Sequence, residues 1–177
     1  MIAPEEYGKA LWGLAEACGG QERYLQNLEQ MEQAFRANPG YASLLDTPAI
    51  PKEERFALID RAFAGAEPDC LNFLKLLCER HAIYRLGACV SEYRKLYYEA
   101  NGISRALCVS AVPLSQEQKD SLVRLLQERT EKTILLECRT DPSLIGGMVL
   151  RVDGKQLDGS VRARLEAFRS RVSDVIL

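Results

Sequence analysis

The sequence predicts an α+β protein. An N-terminal all-α helical bundle of five or six helices over residues 1–104 precedes a smaller α/β C-terminal domain, β-α-β-β-β-α, over residues 105–177. Three observations carry this. Apolar residues recur every three or four positions from Pro4 to about Ala100 and never alternate with period two. Beyond that point short, partly β-branched runs stand between turn residues. At the junction, Asn101-Gly102 closes a long helical pattern where glycine suits the left-handed cap. The chain has 177 residues, 47% of them hydrophobic, enough for one large domain or two small ones to bury a core.

In the first half, Pro4 suits a first helical position, with Tyr7, Leu11, Leu14 and Cys18 on the expected stripe before Gly19-Gly20 stops the helix. A second helix spans about Gln21–Ala37 on Tyr24, Leu25, Leu28, Met31 and Phe35, and Asn38-Pro39-Gly40 ends it. Short helical pieces follow at Tyr41–Leu45 and Lys52–Phe63, then longer helices over Asp69–Ile83 and Leu86–Asn101. The later elements are a strand at Arg105–Ala111 and a helix to about Glu131 opened by the capping box Ser115-Gln116-Glu117-Gln118. Strands follow at Thr133–Arg139, Gly147–Val152 and Lys155–Leu157, the last two joined through the hairpin signal Asp153-Gly154. A final helix carries Val161, Leu165, Phe168 and Val172.

Composition excludes several function classes. The formal charge of −2 gives no reason to expect a nucleic-acid partner. The charge divides unevenly, acidic before residue 105 and basic after it. Arg162, Arg164, Arg169 and Arg171 make a basic face on the final helix, read as solvated rather than as a dock for an acidic partner. The six cysteines form no C-x-x-C pair, so the expectation is free thiols in a reducing compartment and no metal. No apolar run reaches 18 residues, so no direct membrane insertion is expected. The acidic opening Met1–Glu6 lacks a signal or transit pattern, which suggests a bacterial cytoplasmic protein.

Catalytic motifs do not emerge. There is no G-x-x-x-x-G-K-[ST], no G-x-G-x-x-G after a strand and no G-x-S-x-G elbow. The sole histidine, His81, falls inside a predicted helix, and Gly19-Gly20-Gln21 reads as a turn. No catalytic residues and no cofactor are expected.

The segment Asp141-Pro142-Ser143-Leu144-Ile145-Gly146-Gly147-Met148-Val149-Leu150-Arg151, followed by Leu157-Asp158-Gly159-Ser160-Val161-Arg162-Ala163-Arg164-Leu165, resembles the C-terminal signature of the delta (OSCP-type) subunits of F-type ATP synthases. Val109–Ser115 resembles the family's strand-to-helix entry, Tyr7–Leu11 its opening helix and Phe73–Leu77 its fifth. The chain departs from the family at Gly8, commonly alanine, at Trp12, usually smaller, and at Asp153, often glycine. Gly8 is expected to loosen the first helix by roughly 1 kcal/mol. Read physically, Gly146-Gly147 supplies a kink or close approach, and Asp158-Gly159-Ser160 a turn leading into an N-cap.

The resemblance implies a non-catalytic stator connector, peripheral on the cytoplasmic face of the bacterial membrane. It would link the alpha subunits of the catalytic head to the peripheral-stalk b subunits, so that proton flow is coupled to ATP synthesis. It also implies that the N-terminal domain takes the alpha subunit's N-terminal segment between its first and fifth helices, which names Tyr7, Ala10, Leu11, Leu14, Leu76 and Glu79. Both helices carry more apolar residues than one core-facing stripe requires, although burial on all sides by the bundle would explain that equally. The C-terminal domain would meet the stalk b subunits through Val161, Leu165 and Phe168, residues whose spacing also suits core packing. The alternatives are a generic helical peptide-binding adaptor, an RNA binder using the final helix, and a small hydrolase dependent on His81.

Overall fold

In the computed structural model, which describes residues 3–47, 49–161 and 163, the helical period of the first half becomes six α-helices. They are α1 (Pro4–Cys18), α2 (Gln21–Ala37), α3 (Pro39–Asp46), α4 (Lys52–Ala62), α5 (Pro68–Glu79) and α6 (Leu86–Ala100), with a 3-10 turn at Ile83–Arg85. Proline stands at the start of α1, α3 and α5, where its missing N–H costs nothing. α1 ends at Gly19 in the left-handed conformation, its N–H capping the last carbonyls. The second half gives β1 (Ile103–Ser110), α7 (Gln116–Thr130), β2 (Thr133–Thr140), β3 (Met148–Val152) and β4 (Lys155–Asp158). The chain is α+β, as its sequence predicts, and divides into two compact units, Met1–Tyr98 and Glu99–Leu177.

The first unit is built around α2 and α5. Tyr24, Leu25, Leu28, Met31 and Phe35 are all buried, as α2's period predicts. Cutting a fully buried Leu28 or Met31 to alanine would cost about 2–5 kcal/mol. The wide apolar arc of α5 is absorbed inside the bundle: Cys70, Phe73, Leu74, Leu77 and Cys78 are buried, with Leu71 packed against them. That is the central-helix explanation of its composition.

Four expectations need correction. On α1 the buried stripe is Gly8, Leu11 and Ala15, while Leu14 and Cys18 are exposed. The aromatic rings explain the rotation: Trp12 packs on Tyr93 and Tyr97 of α6, turning that side inward. Gly8 does not merely loosen the helix. A Cβ there would lie 2.9 Å from Glu92 Cβ and 3.3 Å from the Tyr93 backbone nitrogen, so its absence lets α1 and α6 approach closely. Finally, α5 stops at Glu79, four residues early, because Arg80 caps it and His81 takes a left-handed φ of 50°. His81 is therefore a helix-end, exposed side chain rather than a mid-helix one.

The second unit is a four-stranded sheet in the order β2-β1-β3-β4. β1 and β2 run parallel across the α7 crossover, while β1–β3 and β3–β4 are antiparallel. The Ser115 capping box opens α7: Gln118 N–H donates to Ser115 Oγ at 3.3 Å, and Ser115 N–H donates back to Gln118 Oε1 at 2.9 Å. Asp153 and Gly154 both take positive φ, as the tight hairpin requires. α7 lays Leu126 on Ala106, Cys108, Ile134 and Leu150. The expected final helix begins at Val161; beyond Ala163 it lies outside the described residues.

Four cysteines (Cys70, Cys78, Cys89 and Cys108) are buried free thiols. Burial pushes the Cys70 thiol up to about 12, so it packs as a small neutral hydrophobe.

Candidate partner-binding surfaces

α1 positions the first candidate surface. Ala10, Gly13, Leu14 and Ala17 fall at i, i+3, i+4 and i+7, and all four are exposed. Leu14 keeps 49% of its surface accessible. The stripe carries no charge, which is unusual for the outward face of a helix ending a bundle. Gly13 and Ala17 belong to it and are not singled out by the sequence, because small residues leave no apolar signal.

Tyr7, on the same side of α1, shows where the stripe lies. Its ring packs against Phe73 of α5, the centroids 6.1 Å apart and the planes tilted by 43°, so the stripe borders α5 and turns away from α6. Leu76, one turn after Phe73, is half-buried beside it. The far end is fixed by a buried tyrosine: Tyr24 donates to Asp69 Oδ2 at 2.6 Å, and Cys18 Sγ lies 3.8 Å from the same hydroxyl. This joins the end of α1 to the start of α5, so the two helices run antiparallel. Burial, more than Asp69, raises the Tyr24 pKa and keeps it a neutral donor.

Tyr7 meets Phe73 of α5, while Ala10 and Leu14 are exposed on α1 and Leu76 is half-buried on α5. Leu11 does not belong to the exposed face; at 4% exposure it is a core side chain beneath it. Glu79 is exposed, but Lys52 of α4 holds it at 2.6 Å. That hydrogen bond keeps its carboxyl below the usual range. A pair so open to solvent adds little stability.

The second candidate surface is the junction around Gly146-Gly147. Gly147 has φ +78°, and a Cβ on it would run into the Gly159 carbonyl oxygen. The close approach is stitched by Gly159 N–H to Met148 O and Val161 N–H to Gly146 O, both 2.9 Å. Asp158 accepts from the Ser160 N–H at 2.9 Å, which lowers its carboxyl pKa. Ser160 Oγ accepts from the Ala163 N–H at 3.2 Å, the expected N-cap. The five residues Gly146, Gly147, Asp158, Gly159 and Ser160 therefore do structural work. Val161 is exposed beside them; Leu165 and Phe168 lie outside the described residues.

The same junction presents a residue that sequence reading passes over. Ile145 is 69% exposed and sits at φ 66°, ψ −39°, a strained conformation for a β-branched side chain. Composition could not flag it, since an isoleucine before glycine reads as ordinary strand entry. Asp153 is also more than a departure from a family glycine: it accepts from Ser104 Oγ at 2.7 Å and pairs with Lys132 at 3.0 Å.

Neither surface assembles a nucleophile with a base. Among the described residues no group of histidine, cysteine, aspartate or glutamate could hold a metal ion. No described helix is long and apolar enough to cross a membrane.

Residues 3–172 match the family model described as ATP synthase delta (OSCP) subunit. The chain is 33% identical over 168 residues to the ATP synthase subunit delta of Anaeromyxobacter sp. (strain Fw109-5), covering 94% of each. It is 33% identical over 172 residues to that of Geobacillus sp. (strain WCH70), covering 97% of each. A subunit delta from Ilyobacter tartaricus described as sodium ion specific is 28% identical over 162 residues, covering 92% of this chain and 93% of that one. A chain in the Toxoplasma gondii mitochondrial ATP synthase hexamer shares the fold, with TM-score 0.71, 22% identity, and coverage of 97% of this chain and 98% of that one.

Proposed function

Because the chain belongs to the ATP synthase delta (OSCP) family, we propose that it ties the catalytic head to the peripheral stalk through one binding surface on each unit. It is a non-catalytic subunit, taking part in ATP synthesis and ion transport as part of the complex. The observation that carries the connector reading is the uncharged, exposed α1 stripe beside α5, with the shape and polarity to take the apolar face of a helix. The N-terminal segment of an alpha subunit is the proposed occupant, with Tyr7, Ala10, Leu14 and Leu76 in contact. Leu11 backs them from the core, and Glu79 lies at the rim. A head held in this way cannot turn with the rotor, so proton flow through the membrane part is coupled to synthesis rather than lost in rotation of the whole. The requirement is tight binding at both ends, not chemistry.

The C-terminal unit is the proposed stalk-binding part, reached by the b subunits at the junction where Ile145 and Val161 are exposed. Residues 1–104 and 105–177 then correspond to head-binding and stalk-binding domains. The subunit would sit peripherally on the cytoplasmic side of a bacterial membrane.

Titrating the full chain with a peptide of the cognate alpha subunit's first ~20 residues tests this, an amphipathic-helix length. Saturable 1:1 binding that falls at least tenfold in Leu14→Asp and Leu76→Ala supports connector and seam together. Binding indifferent to both substitutions moves the site. Absence of binding at high micromolar peptide leaves a generic helical adaptor.

A further inference from the structure

Three sulfur-bearing side chains share one face of the sheet in the second unit. Cys108 of β1 and Cys138 of β2 are direct partners in the parallel register. Both lie on the side that α7 covers, Cys138 packing against the cluster in which Cys108 is buried with Leu126. Met148 of β3 adds the third sulfur, its Sδ 3.9 Å from Cys108 Sγ. Neighbouring strands stand about 4.7–4.9 Å apart, inside the Cα separation of about 4.4–6.8 Å that a disulfide spans. The bond also asks for Cβ atoms about 3.5–4.5 Å apart, so registered strands must draw together slightly to make it. A disulfide closed under that tension needs no unfolding to form and is readily reduced again.

The two thiols differ in access. Cys108 is fully buried, whereas Cys138 is half-buried on β2, the strand that ends the sheet order β2-β1-β3-β4. Burial, and then the neighbouring Cys138, pushes the Cys108 thiol up, so Cys108 stays a protonated, inert thiol until an activated sulfur stands beside it. A small oxidant therefore meets Cys138 first. Met148, 37% exposed, stands in reach of the same oxidant.

We propose that Cys108 and Cys138 form a reversible redox site that closes to a disulfide when a hydroperoxide oxidises Cys138. In the first step Cys138 Sγ attacks a peroxide oxygen. The S–O bond forms as the O–O bond breaks, leaving a sulfenic acid on Cys138 and, from hydrogen peroxide, one water. In the second, Cys108 Sγ attacks Cys138 Sγ. The S–S bond forms as the S–O bond breaks, and the hydroxide leaves as water with the Cys108 proton. Two thiols are oxidised and one peroxide is reduced to two waters. A low-molecular-weight thiol restores the pair by exchange at the more accessible Cys138. The bond ties β1 to β2 and turns the α7 crossover into a closed loop, which restrains its opening. None of this depends on the connector reading.

Non-reducing peptide mapping of the native full-length protein after graded doses of hydrogen peroxide tests it. The expected product is a linked peptide joining Cys108 to Cys138, at least tenfold more abundant than any other cysteine pairing and lost on adding dithiothreitol. The exposed Cys18 thiol is the internal competitor. In Cys108→Ser the sulfenic acid on Cys138 has no resolving thiol, so dimedone should capture it at least tenfold more than in the parent; Cys108→Ala serves if the buried serine prevents folding. Oxidation of Cys138 to the sulfinic acid in the parent while Cys108 remains a thiol overturns the proposal. So does preferential pairing of either residue with Cys18 or across two copies. Both thiols intact at a dose that has already converted Met148 to its sulfoxide overturns it as well.

Discussion

Gly147→Ala should separate a contact effect from a conformational one. The left-handed φ of +78° costs an alanine about 1–2 kcal/mol by itself. Its Cβ would also overlap the Gly159 carbonyl oxygen and approach Ser160 Cα at 3.0 Å, both backbone atoms that cannot swing aside. Making room means parting the Gly159–Met148 and Val161–Gly146 hydrogen bonds, each worth about 0.5–1.5 kcal/mol. The expected loss is about 2–5 kcal/mol. Gly154→Ala is the control, since Gly154 has φ +76° but nothing within 4 Å of its would-be Cβ. It should lose only the conformational part, about 1–2 kcal/mol. Urea unfolding followed by far-UV circular dichroism reads the difference, with Trp12 fluorescence as an internal reference from the first unit. With a slope of about 1 kcal/mol per molar urea for a unit this size, the Gly147 variant should unfold at least 1 M earlier than the Gly154 variant. Equal midpoints would refute the claim that the 146–148 and 158–161 segments are held in fixed contact.

Three further outcomes follow from the same geometry. Gly8→Ala gains roughly 1 kcal/mol of helix propensity but puts a Cβ 2.9 Å from Glu92 Cβ. Overpacking costs about 1–3 kcal/mol, so a net loss near 1 kcal/mol is expected by Trp12 fluorescence, and a gain would mean that α1 and α6 are not in close contact. The Asp153 carboxyl is held below its usual value chiefly by the Ser104 hydroxyl and then by Lys132. A depressed folded value gives stability that is present above the ordinary aspartate pKa and lost as pH falls through the depressed one. Ser104→Ala should therefore cost about 1 kcal/mol at pH 7 and less near pH 2 in paired urea titrations. Ile145→Gly should relieve left-handed strain of about 1–2 kcal/mol, offset by about 0.5–1 kcal/mol of glycine entropy. The variant should thus match or slightly exceed the parent in stability while binding a stalk b peptide at least tenfold more weakly; unchanged affinity would remove Ile145 from the stalk surface.

The α2 stripe shows how far local pattern reaches. Five apolar residues at helical spacing found the core because a helix of ordinary length has one inward face and its period names it. The α7 capping box and the Asp153-Gly154 hairpin were equally legible, since each is closed by residues within a few positions of one another. On α1 the apolar spacing points part of a turn away from the buried face of Gly8, Leu11 and Ala15. Its orientation was decided by Trp12 meeting Tyr93 and by Gly8 meeting Glu92, partners more than 80 positions away. The candidate seam shares that offset: Leu11 lies in the core rather than at the surface, and the exposed Gly13 and Ala17 carry no apolar signal.

By itself, then, the sequence determined the fold class, the helix and strand order, the turns and the family, because periodicity and the ordered signature around Gly146-Gly147 are properties of the chain read along its length. Only the tertiary structure decided which face of α1 stays bare, that Gly8 and Gly147 are points of contact rather than of looseness, and that Ile145 is both exposed and strained. Those facts depend on atoms brought together from distant positions, where hard-core repulsion acts at separations of about 3 Å and no local spacing rule can register it.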